Sequence, residues 1–210
     1  MSNYLNNASL LKAVLYLSKK DKELDKIFKS DGVPPLWARR PGFKTLIKIV
    51  LEQQVSLASG AAVYKKVAKS INPLTPEHIE ELGINYLRGL GVTRQKSSYI
   101  LNIAREINNG DIDLKSLNKL KDHLVKEKLT KIKGIGSWTA NIYLLMALRR
   151  PDIWPIGDIA LENTVRSLLK LRKIYSSEKI SKIAENWIPF RSVAARMLWH
   201  HYLSVRNNQN

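Results

Sequence analysis

Cysteine is absent from this chain of 210 residues. That excludes a disulfide scaffold, a thiol nucleophile, a Cys-ligated zinc site and a thiolate-held iron–sulfur cluster. Histidine is scarce, four in all with no HExxH-like pair, which argues against a transition-metal enzyme. Acidic side chains are few: 18 Asp and Glu stand against 35 Lys and Arg, a formal charge of +17. Long apolar runs are missing as well. The longest, Ile142 to Leu148, falls far short of a membrane span, and the polar start from Met1 to Ser9 lacks the basic and apolar regions of a signal peptide. An intracellular protein is therefore expected, in the cytoplasm or at the nucleoid (the nucleus in a eukaryote), with no membrane partner. So large a positive excess favours a polyanion, DNA or RNA before an anionic membrane, while charge alone also fits a basic protein with no nucleic-acid role.

What is present is ample apolar material, 44% of residues, enough for a real core. Its periodicity is helical nearly throughout. Leu10, Leu11, Val14, Leu15 and Leu17 open an amphipathic helix. Breaks are expected at Asp31 to Pro35 and at Arg39 to Gly42. Helices follow over Phe43 to Leu51 and from beyond Ser56 to about Ser70. Further starts are marked by Thr75-Pro76-Glu77, Thr93, Asp158 and Ser176. Leu117 to about Glu127 reads as one helix, Ser137 as the cap of another running to Leu148, and Arg191 to about Tyr202 as the last. No strand pair or internal repeat is evident. The expected architecture is all-α, a single domain over 1–210. It is a two-lobed bundle of short helices with lobes near 36–109 and 113–201, the N-terminal helix packing on either.

Three features carry chemistry. Gly134-Ile135-Gly136 lets the backbone turn tightly, and the amides after it, at the start of the Ser137 helix, suit a phosphate beside Lys131 and Lys133. An ordinary turn between two helices fits those glycines equally well. Asp158, after Trp154-Pro155-Ile156-Gly157, sits where a helix begins. Position alone favours a plain N-cap, and the neighbourhood moves the balance toward a catalytic acid. Five tryptophans accompany only three phenylalanines. Trp138, Tyr143, Trp154, Trp187 and Trp199 could stack on extruded bases or pack in a core, and core packing is expected of Trp187.

Three blocks in order then resemble the helix-hairpin-helix DNA glycosylase superfamily, and within it the alkylpurine group, the DNA-3-methyladenine glycosylases II. They are Leu51-Glu52-Gln53-Gln54-Val55-Ser56; Gly134-Ile135-Gly136-Ser137-Trp138-Thr139-Ala140-Asn141 followed by Pro155-Ile156-Gly157-Asp158; and Trp187-Ile188-Pro189-Phe190-Arg191-Ser192-Val193-Ala194 with Trp199 behind. The resemblance implies a helix-hairpin-helix motif, an active-site cleft between the lobes and excision of alkylated purines flipped out of duplex DNA, by a monomer. It implies Asp158 as the catalytic carboxylate and Trp138, Trp199 and Ile142 around the base, Ile142 standing where some members have Tyr. DNA contacts would come from Gln53, Gln54, Val55 and Ser56, with Gln54 at the wedge position, and from Lys131, Lys133, Gly134, Ile135, Gly136 and Ser137. A monovalent cation would be held by the carbonyls of Thr130, Ile132 and Ile135, with no other cofactor and no iron–sulfur cluster. The lyase branch carries a Lys two residues after the second hairpin glycine. Trp138 stands there, which implies a monofunctional glycosylase. The rivals are a non-catalytic helix-hairpin-helix DNA-binding module and a basic RNA-binding protein.

Overall fold

A computed structural model describes residues 4–170 and 175–207. Among these residues the regular structure is entirely helical, as the periodicity implies. No described helix is long and apolar enough to cross a membrane.

The chain divides into two units, but not where the sequence places its lobes. One unit is Met1–Ala38 together with Arg149–Asn210, and the other is Arg39–Leu148. The expected boundary between 109 and 113 lies inside the second unit. Gly110 and the loop after it do break the helical pattern, yet the apolar residues on both sides, Ile103 and Leu117, are fully buried in that unit.

The first unit opens with α1 (Asn7–Lys20) and α2 (Lys22–Asp31). The sequence shows no Gly or Pro between them. The break comes from Asp21, whose Oδ1 accepts the N–H groups of Glu23 and Leu24 and so starts a second helix. Its Oδ2 also accepts Trp187 Nε1 at 2.7 Å. The same unit holds α9 (Ile159–Leu168), α10 (Ser177–Ala184) and α11 (Arg191–Asn207). α10 stops at Ala184, where a 3-10 turn (Glu185–Trp187) takes over before Pro189, and α11 runs beyond the expected Tyr202. Leu10, Val14, Leu17, Leu24, Ile27, Leu161, Val165, Val193 and Met197 form its core. Arg196 is wholly buried there, its Nε donating to Leu36 O and an NH group to Ser192 O. Burial pulls this guanidinium down to about 10.

The second unit contains α3 (Phe43–Glu52), α4 (Leu57–Ser70), α5 (Pro76–Gly89), α6 (Arg94–Asn108), α7 (Asp122–Thr130) and α8 (Ser137–Ile142). Thr75 and Thr93 cap α5 and α6 through their hydroxyls, as their positions imply. The single helix expected over 117–127 is two pieces, a 3-10 turn (Ser116–Lys119) and α7, because Leu120 is extended. α8 passes into a π-helical turn (Tyr143–Ala147). Tyr143 is fully buried and accepts the Gly42 N–H at 2.9 Å, and burial pushes its phenol up to about 12.

Candidate functional site

The hairpin joins α7 to α8 within the second unit. Its tightness has a local cause. Gly134 lies at φ +104, and a Cβ there would fall 2.2–2.6 Å from Tyr99 atoms of α6, closer than atoms can approach. Only glycine satisfies both demands. The Ile135 N–H then closes the turn on Ile132 O at 3.0 Å. Gly136, extended at φ −86 and ψ 178, is the N-cap of α8 and offers no side chain to it. Ser137, expected as the cap, is instead the first helical residue, since Ala140 N–H bonds to Gly136 O. The Thr130 hydroxyl folds back onto the carbonyls of Lys126 and Glu127. Lys131 and Lys133 are exposed; Lys131 pairs with Glu127 at 3.0 Å. The hydrogen bond and charge of Lys131 hold the Glu127 carboxyl below its ordinary value.

The turn after α3 belongs to the same unit. Gln53, one of the expected DNA contacts, is half-buried. Its amide donates inward, to Gly134 O at 3.1 Å and Thr139 Oγ1 at 2.8 Å, and so ties the turn to the hairpin. Lys96 secures the other side by donating to Leu51 O at 2.8 Å, and burial lowers its pKa. Gln54 stands at φ +53 and is exposed, followed by exposed Val55, Ser56 and Leu57. Ser56 caps α4 through the Ser59 N–H. Trp138 is partly exposed in α8, whereas Ile142 is buried.

The carboxylate lies in the first unit. Asp158 does cap α9: its Oδ1 accepts the Leu161 N–H at 3.0 Å. The same oxygen also accepts Trp199 Nε1 of α11 at 3.2 Å. An N-cap has no need of an indole partner, so capping alone does not account for the arrangement. Gly157, at φ +83, gives its N–H to Glu162 Oε1, and Glu162 is in turn paired with Arg166 at 3.1 Å. Ile159, next to Asp158, is 75% exposed, so the helix start faces outward.

Burial sorts the aromatics. Tyr143, Trp154 and Trp187 are core residues, the two indoles packed at 5.5 Å, so none of them is a stacking platform. Trp138 and Trp199 stay partly exposed. Trp37, which no motif marked, joins them. It packs edge-on against Trp199 at 6.4 Å and against His200 at 6.3 Å. Glu162, Lys96 and Tyr99 are likewise invisible to motif reading, because each meets its partner only after folding.

A hairpin of this geometry, an aspartate at a helix start after a Pro-Gly loop and an indole upon it are the features by which relatives can be compared. The model of the HhH-GPD superfamily base excision DNA repair protein matches residues 47–190, more than half of the chain. The chain belongs to this superfamily. DNA-3-methyladenine glycosylase 1 of Schizosaccharomyces pombe is 30% identical over 91% of this chain and 87% of its own length. The structure of a 3-methyladenine DNA glycosylase from the same yeast, in complex with abasic DNA, is similar with a TM-score of 0.79 and 29% identity, over 90% of this chain and 95% of the other. A DNA-3-methyladenine glycosidase from Bacillus halodurans superposes with a TM-score of 0.76 at 26% identity, covering 96% and 93%. Within the HhH-GPD superfamily the helix-hairpin-helix element of this chain is α7, the Gly134 turn and α8, and its helical fold matches these glycosylase structures.

Proposed function

We propose that this HhH-GPD protein is a monofunctional DNA glycosylase. It would act as a monomer on duplex DNA, hydrolysing the N-glycosidic bond of alkylated purines and leaving an abasic site. The observation that carries this reading is Asp158, a carboxylate at an outward-facing helix start with an indole N–H on the same oxygen. The superfamily and the similarity to 3-methyladenine glycosylases supply the substrate class.

The chemistry needs little more. Alkylation at N3 or N7 makes the purine cationic, so the base departs with the glycosidic electron pair and no strong general acid. What must be stabilised is the oxocarbenium-like sugar left behind. A fixed carboxylate does this electrostatically, and it can take the proton of the water that adds to C1′. Partly exposed indoles favour a cationic base through their electron-rich faces. The hairpin amides and basic surface would hold the phosphates independently of sequence. The exposed Gln54 and Val55 would enter the space of the flipped nucleotide. The carbonyls of Thr130, Ile132 and Ile135 would hold a monovalent cation. Three neutral oxygens suit one, and Ile132 O keeps a second lone pair beyond its bond to Ile135. Such a cation would add positive charge beside the phosphates. Cleavage of the strand by a lyase route would need an amine nucleophile, and Trp138 at the lyase position provides none.

The test is incubation with methylated duplex DNA, followed by chromatography of the released material and division of the DNA into two samples. Free 3-methyladenine or 7-methylguanine is expected, with breaks only in the sample treated with hot alkali. Binding without base release would leave a DNA-binding module. Breaks in the neutral sample, with a borohydride-trapped adduct, would make the enzyme bifunctional.

A further inference from the structure

We infer that Trp199 is a positioning residue for excision, acting through its indole N–H on the Asp158 carboxylate. The inference rests on the reading of Asp158 as the catalytic group and adds a role that stacking on a base does not contain. Leu161 N–H anchors one oxygen from within α9. A second donor, from α11, ties the same oxygen to another helix and narrows the range over which the carboxylate can turn. Oδ1 receives Leu161 N–H at 3.0 Å and Trp199 Nε1–H at 3.2 Å. An indole nitrogen only donates, so Oδ1 meets it as an acceptor and the contact fixes where that oxygen points.

The donor is itself held. Trp37 meets the Trp199 ring at 72° and the neighbouring His200 ring at 68°. His200 Nε2 lies 2.9 Å from Asp31 O at the end of α2. Arg196, one turn earlier on α11, donates to Leu36 O and fixes the segment that carries Trp37. An indole clamped in this way keeps its N–H aimed at Asp158 whichever base is bound.

The test replaces Trp199 with benzothienylalanine, which keeps the shape and aromatic face and puts sulfur where the N–H was; Trp199→Phe is a second, encoded variant. Single-turnover base release should slow by about tenfold or more, the scale of a misdirected catalytic group. Duplex affinity and melting temperature should hold. The slowing should vanish in an Asp158→Asn background, since nothing then remains to be positioned. An unchanged rate with the isostere, or equal slowing in both backgrounds, would overturn the inference and leave Trp199 as a stacking surface. Full excision by Asp158→Asn alone is a different result, and it would remove the catalytic reading of Asp158 itself.

Discussion

The helices α8 and α9 begin in opposite ways. α9 starts on Asp158, whose carboxylate fills the first turn, with Glu162 reaching back to the Gly157 N–H. α8 starts on Gly136, with no side chain closing its first turn. Most other helices resemble α9: Asn6, Asp21, Ser56, Thr75, Thr93 and Ser176 all cap through their side chains. Bare starts are thus the minority, shared by α3 and α7. The difference is one of sign. A helix start carrying its own carboxylate presents negative charge and suits a developing cation. A start without one presents N–H groups and suits an anion. The same backbone feature serves opposite partners according to one residue at its entrance.

Removing the sign at α9 should have the largest effect. Asp158→Asn keeps the cap, because Asn caps a helix as well as Asp, but it loses the charge. Base release should fall about a hundredfold or more while melting and duplex binding persist, as single-turnover kinetics beside calorimetry would show. A fully active variant would reduce α9 to an ordinary capped helix.

At α8 the comparable break is steric. Gly134→Ala would place a methyl group inside the Tyr99 ring and force a left-handed φ on a residue with a Cβ. Stability should drop by about 2–4 kcal/mol and duplex affinity should fall with it, read by thermal melting and fluorescence anisotropy. The smallest effect is expected from Lys131→Ala. Its pair with Glu127 is largely in water, so melting should not move. The slope of log affinity against log salt should nonetheless shrink by about one if the hairpin meets a phosphate. An unchanged slope would take Lys131 out of the interface.

Much of this is legible in the chain before folding. Helix starts are local: Thr75-Pro76, Thr93, Asp158 and Ser176 each announce themselves within four residues. The glycine hairpin and the loop before Asp158 are also contiguous, which is why a family resemblance can be read from them. The rest depends on which distant residues meet. Core packing is expected of Trp187 and found, but composition cannot separate Trp154 in the core from Trp138 and Trp199 near the surface. The inward turn of Gln53 needs Gly134 and Thr139 as partners. Trp37 becomes part of the site only because α11 brings Trp199 and His200 beside it. The division of the chain is hidden for the same reason: Arg149–Asn210 joins Met1–Ala38 through burial shared by segments at opposite ends of the sequence.

α11 also works as a ruler. Ser192, Arg196, Trp199 and His200 are spaced i, i+4, i+7 and i+8, so they share one face of the helix. Ser192 donates to Ile153 O and accepts the Ile153 N–H, Arg196 holds Leu36, and Trp199 reaches Asp158. Deleting one residue between 192 and 199 would swing everything after it by about 100°. Substitutions on the outer face should be absorbed, but a change of register should not. For anyone grafting or trimming this helix, its length in residues is the quantity to keep.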